Sequence, residues 1–156
     1  IFGHGLGGRL GLLLAAQGLA EGLILCGVPA GSTDYGALGR KKRRAAAQPL
    51  YLAGAFPDSD PARQFAQAGA AEQELLVLTG QADLLPLLPK IACPVLLIWG
   101  EEEQAAPAEQ AWQLQEGLAD AGLCLLPGCG HAPFAEATAE FALILRYFLA
   151  QGQGRA

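Results

Sequence analysis

With 156 residues, 52% hydrophobic and 16% charged, the chain fits one well-buried globular domain and excludes disorder. Its net charge of -5, from 10 Lys+Arg against 15 Asp+Glu, gives no electrostatic footprint for nucleic acid or an anionic membrane surface. No apolar run in the sequence is long enough to span a bilayer.

In chain order, Ile1-Phe2 followed by Gly3-His4-Gly5-Leu6-Gly7-Gly8 reads as a strand end, a tight turn and a helix start. Leu6, Leu10, Leu13 and Leu14 recur at helical spacing, which carries the helix to about Gln17, with Gly18 as its C-terminal cap. Leu23-Ile24-Leu25-Cys26 is a short, continuously apolar run closed by Gly27-Val28-Pro29, the mark of a strand buried on both faces of a parallel sheet. The absence of methionine and the opening inside a strand imply that the chain is incomplete.

From about 30 to 89 the character changes. Gly31-Ser32-Thr33-Asp34, the basic run Lys41-Lys42-Arg43-Arg44 and Pro57-Asp58-Ser59-Asp60-Pro61 separate short helical patches, Arg63–Gln67 and Glu72–Leu78. This segment is expected to be a helical cap inserted into the domain, with the basic run a solvated helix face. Alternation of strand and helix then resumes. Pro94–Trp99 is the clearest strand, Pro107 to about Leu118 a helix with proline in its first turn, and Leu123–Leu126 a further buried strand. The last helix, Thr138 to about Leu149, is expected to bury Phe141, Leu145 and Phe148 and to present Glu140 and Arg146. The predicted fold class is α/β, a parallel sheet of about four strands flanked by helices, with the Ile1-Phe2 strand at an edge. A bare edge of that kind implies self-association.

Three loops fall at the C-terminal ends of these strands, where open α/β sheets place their sites: Gly3-His4-Gly5-Leu6-Gly7, Gly100-Glu101-Glu102-Glu103 and Gly128-Cys129-Gly130-His131. In these segments the chain resembles the α/β-hydrolase family from the nucleophile elbow onward. The family's elbow reads G-x-S-x-G, and here Gly5 stands at the serine position. Cys93–Gly100 looks like the strand before the family's acid, which falls at Glu103, and Leu126–His131 looks like the loop with the family's histidine, His131. The order along the chain, elbow then acid then histidine, matches too. The resemblance implies His131 as general base, Glu103 as the carboxylate that fixes its tautomer, and the backbone N–H of Leu6 as one oxyanion-hole donor. It implies no metal and no organic cofactor, and a small-molecule ester, amide or similar substrate. Because Gly5 has no side chain, nothing at that position can attack, and the expected state is an inactive descendant of a serine hydrolase.

Two rival readings stay open. The chain could serve as a non-catalytic binding or scaffold relative of the same fold. Alternatively, Gly3, Gly5 and Gly8 satisfy G-x-G-x-x-G after a strand, the dinucleotide-binding fingerprint, although Cys26-Gly27-Val28-Pro29 supplies no acid for a ribose. His4 reads as a packing residue of the elbow. Cys26, Cys93, Cys124 and Cys129 lack C-x-x-C spacing, and those in or beside strands read as small buried hydrophobes, which implies a reduced, cytoplasmic setting. Cys129 lacks an elbow of its own and is a poor nucleophile candidate.

Overall fold

The computed structural model describes residues 1–31 and 83–152. Most of the expected cap lies outside the described residues, including the basic run, Ser32 and Ser59. Within the described residues the order is β1 (Phe2–His4), α1 (Leu6–Ala16), β2 (Leu23–Cys26), a 3-10 turn (Leu85–Lys90), β3 (Val95–Gly100), α2 (Ala108–Gly117), β4 (Ala121–Leu126), α3 (Pro133–Glu136) and α4 (Thr138–Gly152). The four strands form one sheet in the order β1-β2-β3-β4, and every pairing is parallel. β1 is therefore an edge, as its sequence implies, and Ile1 and Phe2 are 45% and 52% exposed there.

Side chains alternate across the sheet with the period of two that a strand imposes. Leu23, Leu25, Val95, Leu97 and Trp99 point to one face, where Leu12 and Ala15 of α1, Leu88 of the 3-10 turn and Ala111 and Leu114 of α2 cover them. Ile24, Cys26, Leu96 and Ile98 point to the other, against Phe141, Ile144, Leu145 and Phe148 of α4 and Phe134 of α3. Both faces being covered explains why β2 and β3 read as unbroken apolar runs. Each fully buried aliphatic side chain contributes about 1.5–3 kcal/mol. Trp99, fully buried, also donates its indole N–H to the Ala106 carbonyl at 2.7 Å.

Helix ends follow local chemistry. Gly18, at φ 74°, closes α1 in a Schellman arrangement: its N–H donates to the Ala15 carbonyl at 3.0 Å and the Leu19 N–H to the Leu14 carbonyl at 3.0 Å. Packing of α1 on β1 demands Gly3, because a Cβ there would lie 2.5 Å from the Gly8 Cα. β4 starts at Ala121, two residues before its apolar run, because register with Val95 and Leu96 pairs residues whose own side chains carry no strand signal.

Of the expected cap, only residues 30–31 and 83–89 are described, and part of them joins the main core. Ala30, Leu84 and Leu88 are all buried in it, and the Leu84 N–H donates to the Ala30 carbonyl at 2.9 Å. Chain departure after Gly31 and return at Asp83 are thus tied together. Arg9, buried on α1, donates to the carbonyls of Pro29 (2.6 Å) and Gly31 (3.3 Å) at the same place. Among the described residues all four cysteines are free, with Cys26 and Cys129 buried and Cys93 and Cys124 half-buried.

Leu97 is fully buried at the centre of the sheet and Leu143 is 69% exposed on α4. Leu97→Ala is expected to lower unfolding free energy by about 2–5 kcal/mol. Leu143→Ala should stay within about 0.5 kcal/mol in the same urea titration. Equal effects at the two positions would contradict the layer assignment.

Candidate active site

The loops that follow the strands meet at the C-terminal edge of the sheet. β1 ends at His4 and the chain passes into Gly5, which caps α1 with φ 52° and ψ -118°. An L-residue reaches this conformation only with strain, so the chain turns sharply from strand to helix at a residue free to do so. The Gly5 N–H donates to the Cys26 carbonyl at 3.1 Å, which ties the elbow to the end of β2. A Cβ placed on Gly5 would meet nothing within 4 Å among the described residues.

After β3 the chain folds back on itself, with the Glu103 N–H on the Gly100 carbonyl at 3.2 Å. This turn aims the Glu103 side chain inward, where the residue is only 6% exposed. One carboxylate oxygen, Oε2, is hydrogen-bonded to His131 Nδ1. The other, Oε1, accepts the N–H groups of Ala105 and of Ala106, the latter at 3.2 Å. Burial opposes ionisation of this carboxyl. The His131 hydrogen bond, the His131 charge and the two amides outweigh it and hold the group below the usual glutamate range.

His131 sits on the loop after β4, its side chain half exposed. The Glu102 N–H donates to the Cys129 carbonyl at 2.8 Å and laces this loop to the acid loop. Two glycines make room for that approach. A Cβ on Gly100 would lie 2.2 Å from the carbonyl oxygens of Cys129 and Gly130, and one on Gly27 would lie 3.1 Å from Glu103 Oε2 and 3.3 Å from the His131 ring. Gly27 immediately follows the residue that binds the Gly5 amide, so the elbow and the Glu103–His131 pair are neighbours.

Two side chains support His131 in ways that the sequence did not signal. Glu136 of α3 accepts the N–H of Gly130 at 2.7 Å and of Ala132 at 2.8 Å, clamping the backbone on both sides of His131. His4 packs edge-on to Phe134, as a packing residue would, with ring centroids 5.2 Å apart. It also lies 4.4 Å from the His131 ring, and its Nε2–H donates to the His131 carbonyl at 2.8 Å. Since a carbonyl only accepts, His4 carries its proton on Nε2. Burial, then the neighbouring imidazole, push His4 below its ordinary value; the hydrogen bond to His131 and the Glu103 charge act the other way.

Neither buried thiol is prepared to attack. Burial pushes Cys26 up to about 12, and burial together with Glu136, Glu140 and Glu102 raises Cys129. Among the described residues no group of three His, Cys, Asp or Glu side chains is placed to hold a metal ion. Nor is any helix among them long and apolar enough to cross a membrane.

A parallel sheet with helices on both faces, a strand-to-helix elbow, and an acid–histidine pair at the strand ends define the class. Residues 1–142 match the model of the Alpha/beta hydrolase family, and the chain belongs to that family. Over 72 residues it is 39% identical to the pimeloyl-[acyl-carrier protein] methyl ester esterase of Nitrosomonas europaea, a match covering 46% of this chain and 29% of that protein. Over another 72-residue match it is 31% identical to the 2-hydroxy-6-oxononadienedioate/2-hydroxy-6-oxononatrienedioate hydrolase of a Pseudomonas species, covering 46% and 25%. These matches thus span about a third or less of the relatives' length. Among solved structures it shares its fold with a thermophilic esterase from Thermogutta terrifontis, at TM-score 0.69 and 21% identity over 97% of this chain and 64% of that one. The enol-lactonase from Burkholderia xenovorans LB400 gives TM-score 0.65 and 24% identity over 96% and 64%.

The pH dependence of stability follows from two depressed groups. His4 binds its proton less readily folded than unfolded, so between about pH 6.5 and its folded value the unfolded chain holds more protons. Stability from this group is complete above that range and falls on acidification. Glu103 adds a loss of the same sign at lower pH, as its carboxylate is protonated. The urea midpoint is therefore expected to drop between about pH 7.5 and pH 5.5, and His4→Gln should flatten that step. A midpoint that rises on acidification over this range would contradict the half-buried His4 whose proton affinity is lowered.

Proposed function

We propose that this chain descends from a serine hydrolase that acted on an ester, amide or similar small substrate through an acyl-enzyme, and that it lacks that chemistry because Gly5 stands where the nucleophile would be. His131 is the general base, Glu103 its orienting carboxylate and the Leu6 N–H an oxyanion donor. The observation that carries the reading is the Glu103–His131 hydrogen bond, formed through Nδ1 beside an elbow whose residue 5 has φ 52°. A histidine so held keeps Nε2 for the proton of an attacking group, the arrangement that nucleophilic catalysis by a hydroxyl requires.

The curated relatives named above are an esterase and a hydrolase, which supports the substrate class without fixing it. Self-association through the exposed edge of β1 belongs to the same proposal.

Gly5→Ser tests the reading. Forcing a β-carbon into the left-handed conformation should cost about 1–3 kcal/mol of stability. It should also create hydrolysis of an activated ester such as p-nitrophenyl acetate that falls by about a thousandfold or more when His131→Ala is added. A stabilised Gly5→Ser protein, or activity that survives loss of His131, would remove Gly5 from the nucleophile position.

A further inference from the structure

Among the described residues, nothing lies within 4 Å of where a Cβ on Gly5 would stand. A serine would add two heavy atoms there, and one water molecule, with a share of liquid volume of about 30 Å³, needs comparable room. Such a water also needs polar partners. His131, oriented by Glu103 through Nδ1, offers Nε2 as an acceptor. α1 begins at this point with no side-chain cap and no acid in its first turn, so no carboxylate in that turn opposes the partial positive charge of its leading N–H groups. A base and its orienting acid therefore stand beside the elbow, and the described residues place no nucleophilic side chain in the space at Gly5.

We propose that the site uses this space for a water and hydrolyses small activated esters in a single displacement, with no acyl-enzyme. The proposal rests on the reading of Gly5 as the nucleophile position. The water oxygen bonds to the ester carbonyl carbon while one of its protons passes to His131 Nε2, and the carbonyl electron pair moves onto oxygen. Glu103 stabilises the imidazolium so formed. Collapse of the tetrahedral oxyanion restores the C=O and breaks the bond to the leaving alkoxide, which takes the proton back from Nε2. Carboxylic acid and alcohol leave, and His131 returns to its starting state. The oxygen is held less firmly than a serine hydroxyl, so the rate enhancement is small, on the order of a hundredfold over buffer, what one positioned general base supplies.

The test compares the chain itself with His131→Ala, Gly5→Ala and Gly5→Ser on p-nitrophenyl acetate, with intact-protein mass spectrometry during turnover. The native chain should hydrolyse the ester without a burst and without an acetylated species. His131→Ala should return the rate to that of buffer. Gly5→Ala, whose methyl enters the water's space, should do the same; circular dichroism checks that it folds, and the His131→Ala comparison decides if it does not. A native rate equal to that of His131→Ala, an acetylated native chain, or a folded Gly5→Ala protein as fast as the native one would overturn the proposal. If Gly5→Ser gains His131-dependent esterase activity while the native chain shows none, the nucleophile-position reading stands and the water reading falls. If neither is active, both fall.

Discussion

The architecture of the site depends on one buried carboxylate. Glu103 is 6% exposed, and an ionised group so far from water is tolerated only when its charge and lone pairs are answered. Three donors answer it, the His131 ring and the Ala105 and Ala106 amides, and they come from two loops. The acid loop must turn back at Gly100, and the histidine loop must descend over it. Glycine at positions 27 and 100 is the steric consequence, because any side chain there would enter the space of the ring or of the loop backbone. Glu136 then holds the descending loop from outside by its two amides, at 2.7 and 2.8 Å.

The two central strands, β2 and β3, were legible because burial on both faces leaves a strand no polar positions. Leu23–Cys26 was placed to the residue, and β3 was placed within one residue, at Val95–Gly100. Elements that depend on other rules were not legible. The 3-10 turn Leu85–Lys90 contains Pro86 and Pro89, which read as punctuation in a sequence. α3 is four residues long and carries no periodicity. The start of β4, Ala121-Gly122, is strand only because β3 lies beside it.

For the site the division is similar. Gly5, Glu103 and His131 were singled out as candidates through motif order at strand ends, and Glu103 and His131 are hydrogen-bonded beside the elbow. Arg9 and Glu136 were missed because their roles are bonds to backbone amides and carbonyls of other segments, which no residue pattern announces. His4 was read as a packing side chain. It does pack on Phe134, but its ring also lies against His131 and fixes that residue's carbonyl, a contact between positions 127 residues apart. Local sequence reports local chemistry, and these contacts are made only when the sheet is assembled.

The orientation of the His131 ring carries the functional reading, and nitrogen NMR of the histidines measures it directly. At a pH where the ring is neutral, His131 is expected as the Nδ1-protonated tautomer, with a far-downfield Nδ1–H proton that disappears in Glu103→Ala. Protonation on Nε2 instead, or a spectrum indifferent to Glu103, would mean that the ring does not keep Nε2 free as a base toward Gly5.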